Sequence, residues 1–166
     1  MREYIVIYNV NSRGKNLSKE YLTQLFEKNQ LKAKIFMTRN TSEVENIIEK
    51  YSNDKKYSYC AIGGDGTINS LIDVLLKLGL SKPIVGCLPS GSGSDFLRTF
   101  AIPQDIEKAI VHLKGDTTYL IDTAIVTSSN REKHFVNVLN FGFLADTVEM
   151  SEKLPKIFRR FRYPIS

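Results

Sequence analysis

Two aspartates carry the chemical interest of this chain. Asp65 stands inside Gly63-Gly64-Asp65-Gly66-Thr67, and Asp95 closes Pro89-Ser90-Gly91-Ser92-Gly93-Ser94-Asp95-Phe96. Glycines let backbone N–H groups approach a ligand closely, and a following helix adds partial positive charge at its N-terminus, so each stretch suits a phosphate. A carboxylate in such a place repels phosphate unless a cation or a proton-donating substrate lies between them. Either loop alone also reads as a tight turn. Two of them, each with an aspartate, point to a nucleotide or phosphate site with chemistry attached. Neither contains the G-x-x-x-x-G-K-[ST] of a Walker loop or the G-x-G-x-x-G of a dinucleotide fold.

The elements needed to position these loops alternate along the chain. Tyr4 to Tyr8 reads as a strand ending in the polar loop Asn9 to Lys15. Ser18 caps a helix bearing Leu22, Leu25 and Phe26, and a strand from Lys32 to Met37 ends at Thr38. Ser42 and Glu45 suggest a capping box before a helix with Val44, Ile47 and Ile48. A third strand, Tyr57 to Ile62, enters the first glycine loop. Ile68, Leu71, Ile72, Leu75 and Leu76 then mark an amphipathic helix with Gly79 at its C-terminal cap. Pro83 to Leu88 reads as the strand that delivers the second loop, with a short helix from Phe96. A helix carrying Ile106, Ala109, Ile110 and Leu113 ends at Gly115, and Thr118 to Val126 and His134 to Leu139 suggest an antiparallel hairpin turning through Thr127 to Lys133. The fold class expected is α/β, a parallel-sheet Rossmann-like domain with a carboxyl-terminal β-hairpin extension, and both glycine loops fall at carboxyl ends of strands, where ligands of such sheets bind.

Composition narrows the class. The chain has 166 residues, 42% hydrophobic and 25% charged, enough for one core. No run approaches the roughly 20 apolar residues of a membrane span, and the start does not read as a signal peptide, so a cytoplasmic location is expected. Cys60 and Cys87 lack metal-ligand spacing and read as free core thiols. His112 and His134 show no partner in the sequence and read as structural or exposed. The net charge of +5 is local: Lys153, Lys156, Arg159, Arg160 and Arg162 supply it, and the rest of the chain is balanced. That distribution argues against a nucleic-acid-binding face.

The pair of loops resembles the catalytic-domain pattern of diacylglycerol kinases and related bacterial lipid kinases, G-G-D-G-T followed by P-x-G-T-x-N-D-F. Asn9 to Gly14 resembles that family's first phosphate loop, N-P-x-S-G-x-G. Ile121-Asp122, Phe135-Val136-Asn137 and Asn140 to Phe143 resemble its I-D, F-x-N and G-F stretch. The G-G-D-G-T element is shared with NAD kinases, and the second loop favours the lipid kinases.

The resemblance implies ATP and Mg²⁺ as cofactors. It assigns nucleotide binding to Asn9, Val10, Asn11, Ser12 and Arg13; to Thr38; to Gly63, Gly64, Asp65, Gly66, Thr67, Ile68, Asn69 and Ser70; and to Ser90, Gly91, Ser92 and Gly93. It implies catalytic roles for Asp65, beside the γ-phosphate as organiser of magnesium-bound water or as proton acceptor, and for Asp95, supporting it from the second loop. Val10 stands for the family's proline, Arg13 for a glycine, Ser70 for a glutamate, and Ser92 and Ser94 for Thr and Asn.

Residues 1–150 are thus expected to be the ATP-binding domain. Residues 151–166 are expected to be a basic amphipathic segment leading toward a second, β-rich domain absent from this chain, which would hold further magnesium ligands and leave this fragment inactive alone. Leu154, Ile157, Phe158 and Phe161 share one face of that segment, which packs on the missing domain or meets an anionic inner membrane surface from Lys153 to Arg162. The implied function is transfer of the ATP γ-phosphoryl to a lipid hydroxyl such as that of diacylglycerol, with a homodimer left open. The alternatives are an NAD kinase-like enzyme and a non-catalytic nucleotide-binding or lipid-surface module.

Overall fold

The computed structural model describes residues 2–12, 15–90, 94–129 and 131–136. Strands β1 (Glu3–Asn9), β2 (Lys32–Thr38), β3 (Tyr57–Gly63) and β4 (Val85–Pro89) form one parallel sheet in the order β2-β1-β3-β4. The chain turns outward from β1 to β2 on one side and crosses to β3 and β4 on the other. The β1/β3 junction is therefore the switch point, where open α/β sheets bind ligands beyond the strand ends.

The central strands are apolar on both faces, as parallel strands covered by helices require. Tyr4, Val6, Tyr8, Cys60 and Ile62 face one core with helix α1 (Lys19–Lys28), helix α5 (Ile106–Ala109) and the 3-10 turn Ile110–Lys114. Ile5, Ile7, Tyr59 and Ala61 face a second core with helices α2 (Thr41–Ser52) and α3 (Asp65–Lys77) and the short helix α4 (Asp95–Thr99). Cys60 and Cys87 are free and buried as expected. Burial, with a smaller contribution from Asp65, pushes the Cys87 thiol up to about 12.

Ser18 caps α1, and Gly79, at φ 77°, follows α3 in the left-handed conformation expected of a C-terminal cap. Three expectations are corrected. Helix α2 is capped two residues earlier than Ser42: Asn40 Oδ1 accepts from Glu43 N, and the Glu43 carboxylate accepts from Arg39 N. Asn40, extended at φ −149°, can reach back over the first turn, whereas Ser42 is already helical. The helix from Ile106 tightens into the 3-10 turn at Ile110 and ends without a left-handed glycine, since Gly115 has φ −71°. The hairpin comprises β5 (Ala124–Ser128) and β6 (Arg131–Phe135), joined at residues 129–130. Arg131, Glu132 and Lys133, expected in the polar turn, belong to β6, because an exposed strand tolerates charge. Residues 137–139 of the expected second strand lie outside the described residues. Tyr119, Leu120 and Ile121 precede β5 as an exposed, irregular segment.

Among the described residues, no helix is long and apolar enough to cross a membrane.

Candidate active site

Three connections meet at the carboxyl edge of the sheet. The first leaves β1 and turns at once: Asn9 Oδ1 accepts from Asn11 N (2.9 Å), and Ser12 N donates to Asn9 O (2.9 Å). It is tied to β2 by Val10 N on Thr38 O and by Asn11 Nδ2 on Arg39 O. It also reaches past β3 to β4, where the Ser12 and Ser90 hydroxyls share a hydrogen bond of 3.1 Å and Lys15 N donates to Ser90 O. Tyr8, almost wholly buried, fastens the return: its hydroxyl donates to Lys15 O (2.8 Å) and accepts from Leu17 N (3.1 Å). The sequence reading missed Tyr8, because an aromatic in an apolar strand looks like ordinary core. Its polar tip is the signal, since a buried tyrosine hydroxyl needs a partner.

The second connection is the glycine turn from β3 into α3, where three glycines do different work. A Cβ on Gly63 would collide with the Thr67 side chain, so Gly63 is needed for the close approach of strand and helix. Cβ atoms on Gly64 or Gly66 would meet nothing within 4 Å. The N-terminus of α3, whose N-cap Gly64 offers no side chain, is therefore open to a ligand and carries about half a unit of positive charge.

The third connection is bound to the second by Asp65. The Ser94 hydroxyl donates to Asp65 Oδ1 at 2.5 Å, Phe96 N to the same oxygen at 3.1 Å, and Asp95 N to Oδ2 at 3.2 Å. Ser94 in turn accepts from Leu97 N (3.2 Å) and caps α4. A carboxylate has about four acceptor positions, so three are already engaged. Asp65 is a bracket between the two loops. Ser94 sustains it despite being shorter than asparagine.

The other expected site residues divide clearly. The Asp95 carboxylate is exposed and pairs with Arg98 Nη1 at 2.9 Å, so Asp95 meets Asp65 through its backbone N–H and not through its side chain. Thr38 is buried with its hydroxyl on Tyr8 O (3.4 Å). Thr67 is buried above Gly63, and Ile68 belongs to the core. Ser70 shares a hydrogen bond of 3.3 Å with Thr41, and Asn69 Oδ1 accepts from Val136 N (3.2 Å). Val10 packs against the first core. Arg13, Gly91, Ser92 and Gly93 lie outside the described residues, as do Asn137, the stretch 140–143 and the basic segment from Lys153 to Arg162.

The open turn fits the phosphates of a nucleotide. Among the described residues no three His, Cys, Asp or Glu side chains gather around one point.

The model of the diacylglycerol kinase catalytic domain matches residues 3–126. A probable lipid kinase YegS-like protein from Enterobacter sp. (strain 638) is 30% identical over 92% of the chain and 50% of its own length. A diacylglycerol kinase from Bacillus subtilis (strain 168) is 27% identical over 98% of the chain and 54% of its own length. The chain thus spans about half the length of these relatives. The fold resembles that of a putative diacylglycerol kinase from Bacillus anthracis str. Sterne, with a TM-score of 0.58 at 19% identity, over 74% of this chain and 45% of that one.

Proposed function

From the premise that the chain belongs to the diacylglycerol kinase catalytic-domain family, we propose that it is the nucleotide-binding part of an ATP-dependent lipid kinase. The observation carrying this reading is the bracket at Asp65, which joins the two glycine-bearing loops beside the open N-terminus of α3. ATP, when bound, supplies the γ-phosphoryl that passes to a lipid hydroxyl, such as that of diacylglycerol. Phosphoryl transfer relies chiefly on positioning and charge stabilisation, which suits a site without a covalent nucleophile.

Each residue group has a share in that work. Gly64 and Gly66 leave the first turn of α3 free to receive phosphate oxygens. Asp65 fixes the second loop beside the phosphates, with one acceptor position remaining. Ser12 and Ser90 hold the first loop across the mouth. Because Asp65 is held by three donors, we assign it an organising role in preference to that of a freely turning proton acceptor. Mg²⁺, when bound, would offset the repulsion between the Asp65 carboxylate and the phosphates.

Residues 1–150 would form this part, with a further catalytic region completing it. The basic segment from Lys153 to Arg162 would pack its apolar face on that region or meet anionic lipid at the inner membrane surface. The test is incubation of the full-length protein with γ-labelled ATP and either diacylglycerol or NAD. Label on the lipid is expected. Label on NAD alone, or ATP bound without any turnover, would overturn the reading.

A further inference from the structure

Helix α3 carries a second polar feature, away from the glycine turn and unused by the proposed chemistry. Asp73 interrupts the apolar run Leu71, Ile72, Val74 and Leu75 and is itself only 5% exposed. It accepts from Lys77 Nζ at 2.7 Å, from the backbone N–H of His134 at 2.8 Å, and lies 3.1 Å from His134 Nδ1. One helical turn earlier, Asn69 Oδ1 accepts from the backbone N–H of Val136 at 3.2 Å. The spacings match: residues four apart on a helix rise by about 6 Å, and alternate residues of a strand by about 6.7 Å. Asn69 and Asp73 thus receive two successive outward N–H groups of β6 and its extension, the edge that β5 does not pair. A buried carboxylate is costly unless fully partnered, so its presence in an apolar helix face marks a contact that apolar packing alone does not supply.

We propose that Asn69 and Asp73 are positioning residues, through which helix α3 fixes β6 and Val136 relative to the glycine turn at the other end of the same helix. The docking stands on the geometry alone. Its consequence for turnover rests on the lipid-kinase reading, because the acceptor lipid must meet a phosphate held at the start of α3. Asn69 is then not a nucleotide contact.

The test uses the full-length protein. In the wild type, the amides of His134 and Val136 are expected to be protected from hydrogen exchange. In Asp73→Ala that protection should fall by about tenfold or more, while the amides of β1 and β3 stay protected and report an intact domain. Asp73→Ala should lower kcat for lipid phosphorylation by at least about tenfold, as misplacement far from the chemistry does, with the Kd for ATP within about threefold of wild type. Asp73→Asn keeps an Oδ1 acceptor and should recover most of kcat. Free exchange of His134 in the wild type, a parallel loss of ATP affinity and kcat, or an Asn variant as damaged as the Ala variant would each overturn the proposal. If the wild-type protein phosphorylates no lipid, the functional reading falls, and the exchange arm still decides the docking.

Discussion

The parallel sheet and the β5–β6 hairpin are held by different forces. Strands β1 and β3 bury apolar side chains on both faces, and their helices cover them with two cores. The hairpin has Ile125 exposed and meets α3 through polar side chains on backbone N–H groups, with Val136, just past β6, half-buried against the second core. The sheet's stability comes from area removed from water, which is non-directional. The hairpin's placement comes from a few directional contacts, which set position more than stability. Helix α3 belongs to both systems, with Leu75 on the apolar side and Asp73 on the polar one.

The contrast breaks most sharply in the core. Leu75→Ala should cost about 2–5 kcal/mol in chemical denaturation, because Leu75 has no exposure and the cavity cannot fill. A loss below about 1 kcal/mol would show that the sheet side is not close-packed.

Next comes the glycine pair. Gly63→Ala should destabilise by about 1–3 kcal/mol, since the new methyl must displace Thr67. Gly66→Ala should leave stability unchanged or slightly raised, since helical alanine is favoured by up to about 1 kcal/mol over glycine. It should nonetheless weaken ATP binding by crowding the open turn, as titration calorimetry would measure. Equal stability losses at the two positions would remove the distinction between a packing glycine and a ligand-facing one.

A smaller effect is expected with pH. Burial raises the Asp73 carboxyl, but Lys77 and the His134 backbone and ring outweigh it and hold it below its ordinary value of 3.8. The docking is therefore fully present above that value and lost as pH falls through the lower folded value. Exchange at His134 should be constant from about pH 7 to 5 once the intrinsic pH dependence is removed, with the docking released only in stronger acid. Release near neutrality would assign the control to His134 instead. The smallest effect belongs to the hairpin's own apolar surface: Ile125→Ser should change stability by no more than about 0.5 kcal/mol.

The same contrast explains what could be read from the sequence. The sheet and its helices were legible because apolar spacing reports burial directly: β3 and α3 follow from Tyr57 to Ile62 and from Ile68 to Leu76. The two glycine loops were legible by residue type: the first follows β3 as expected, and β4 ends at Pro89, where the second begins. Their internal wiring was not. Nothing in the composition of Ser94 and Asp65 says that one caps the other, or that Asp95 turns its carboxylate toward Arg98. Thr38 and Ile68 are placed by their position in a motif, which does not report that their side chains are buried. Asp73 stayed invisible and His134 showed no partner because their pairing spans distant parts of the chain, and polar pairing leaves no periodic trace.

The bracket at Asp65 is the centre of the site, and Asp65→Asn in the full-length protein tests it most directly. The change keeps the size of the side chain but removes its charge and replaces one acceptor oxygen with a donor. With γ-labelled ATP and diacylglycerol, lipid phosphorylation should fall by about a hundredfold or more, in the range of losses seen when a positioned catalytic electrostatic group is removed. Undiminished lipid phosphorylation by a folded Asp65→Asn protein would contradict the central place given to this carboxylate.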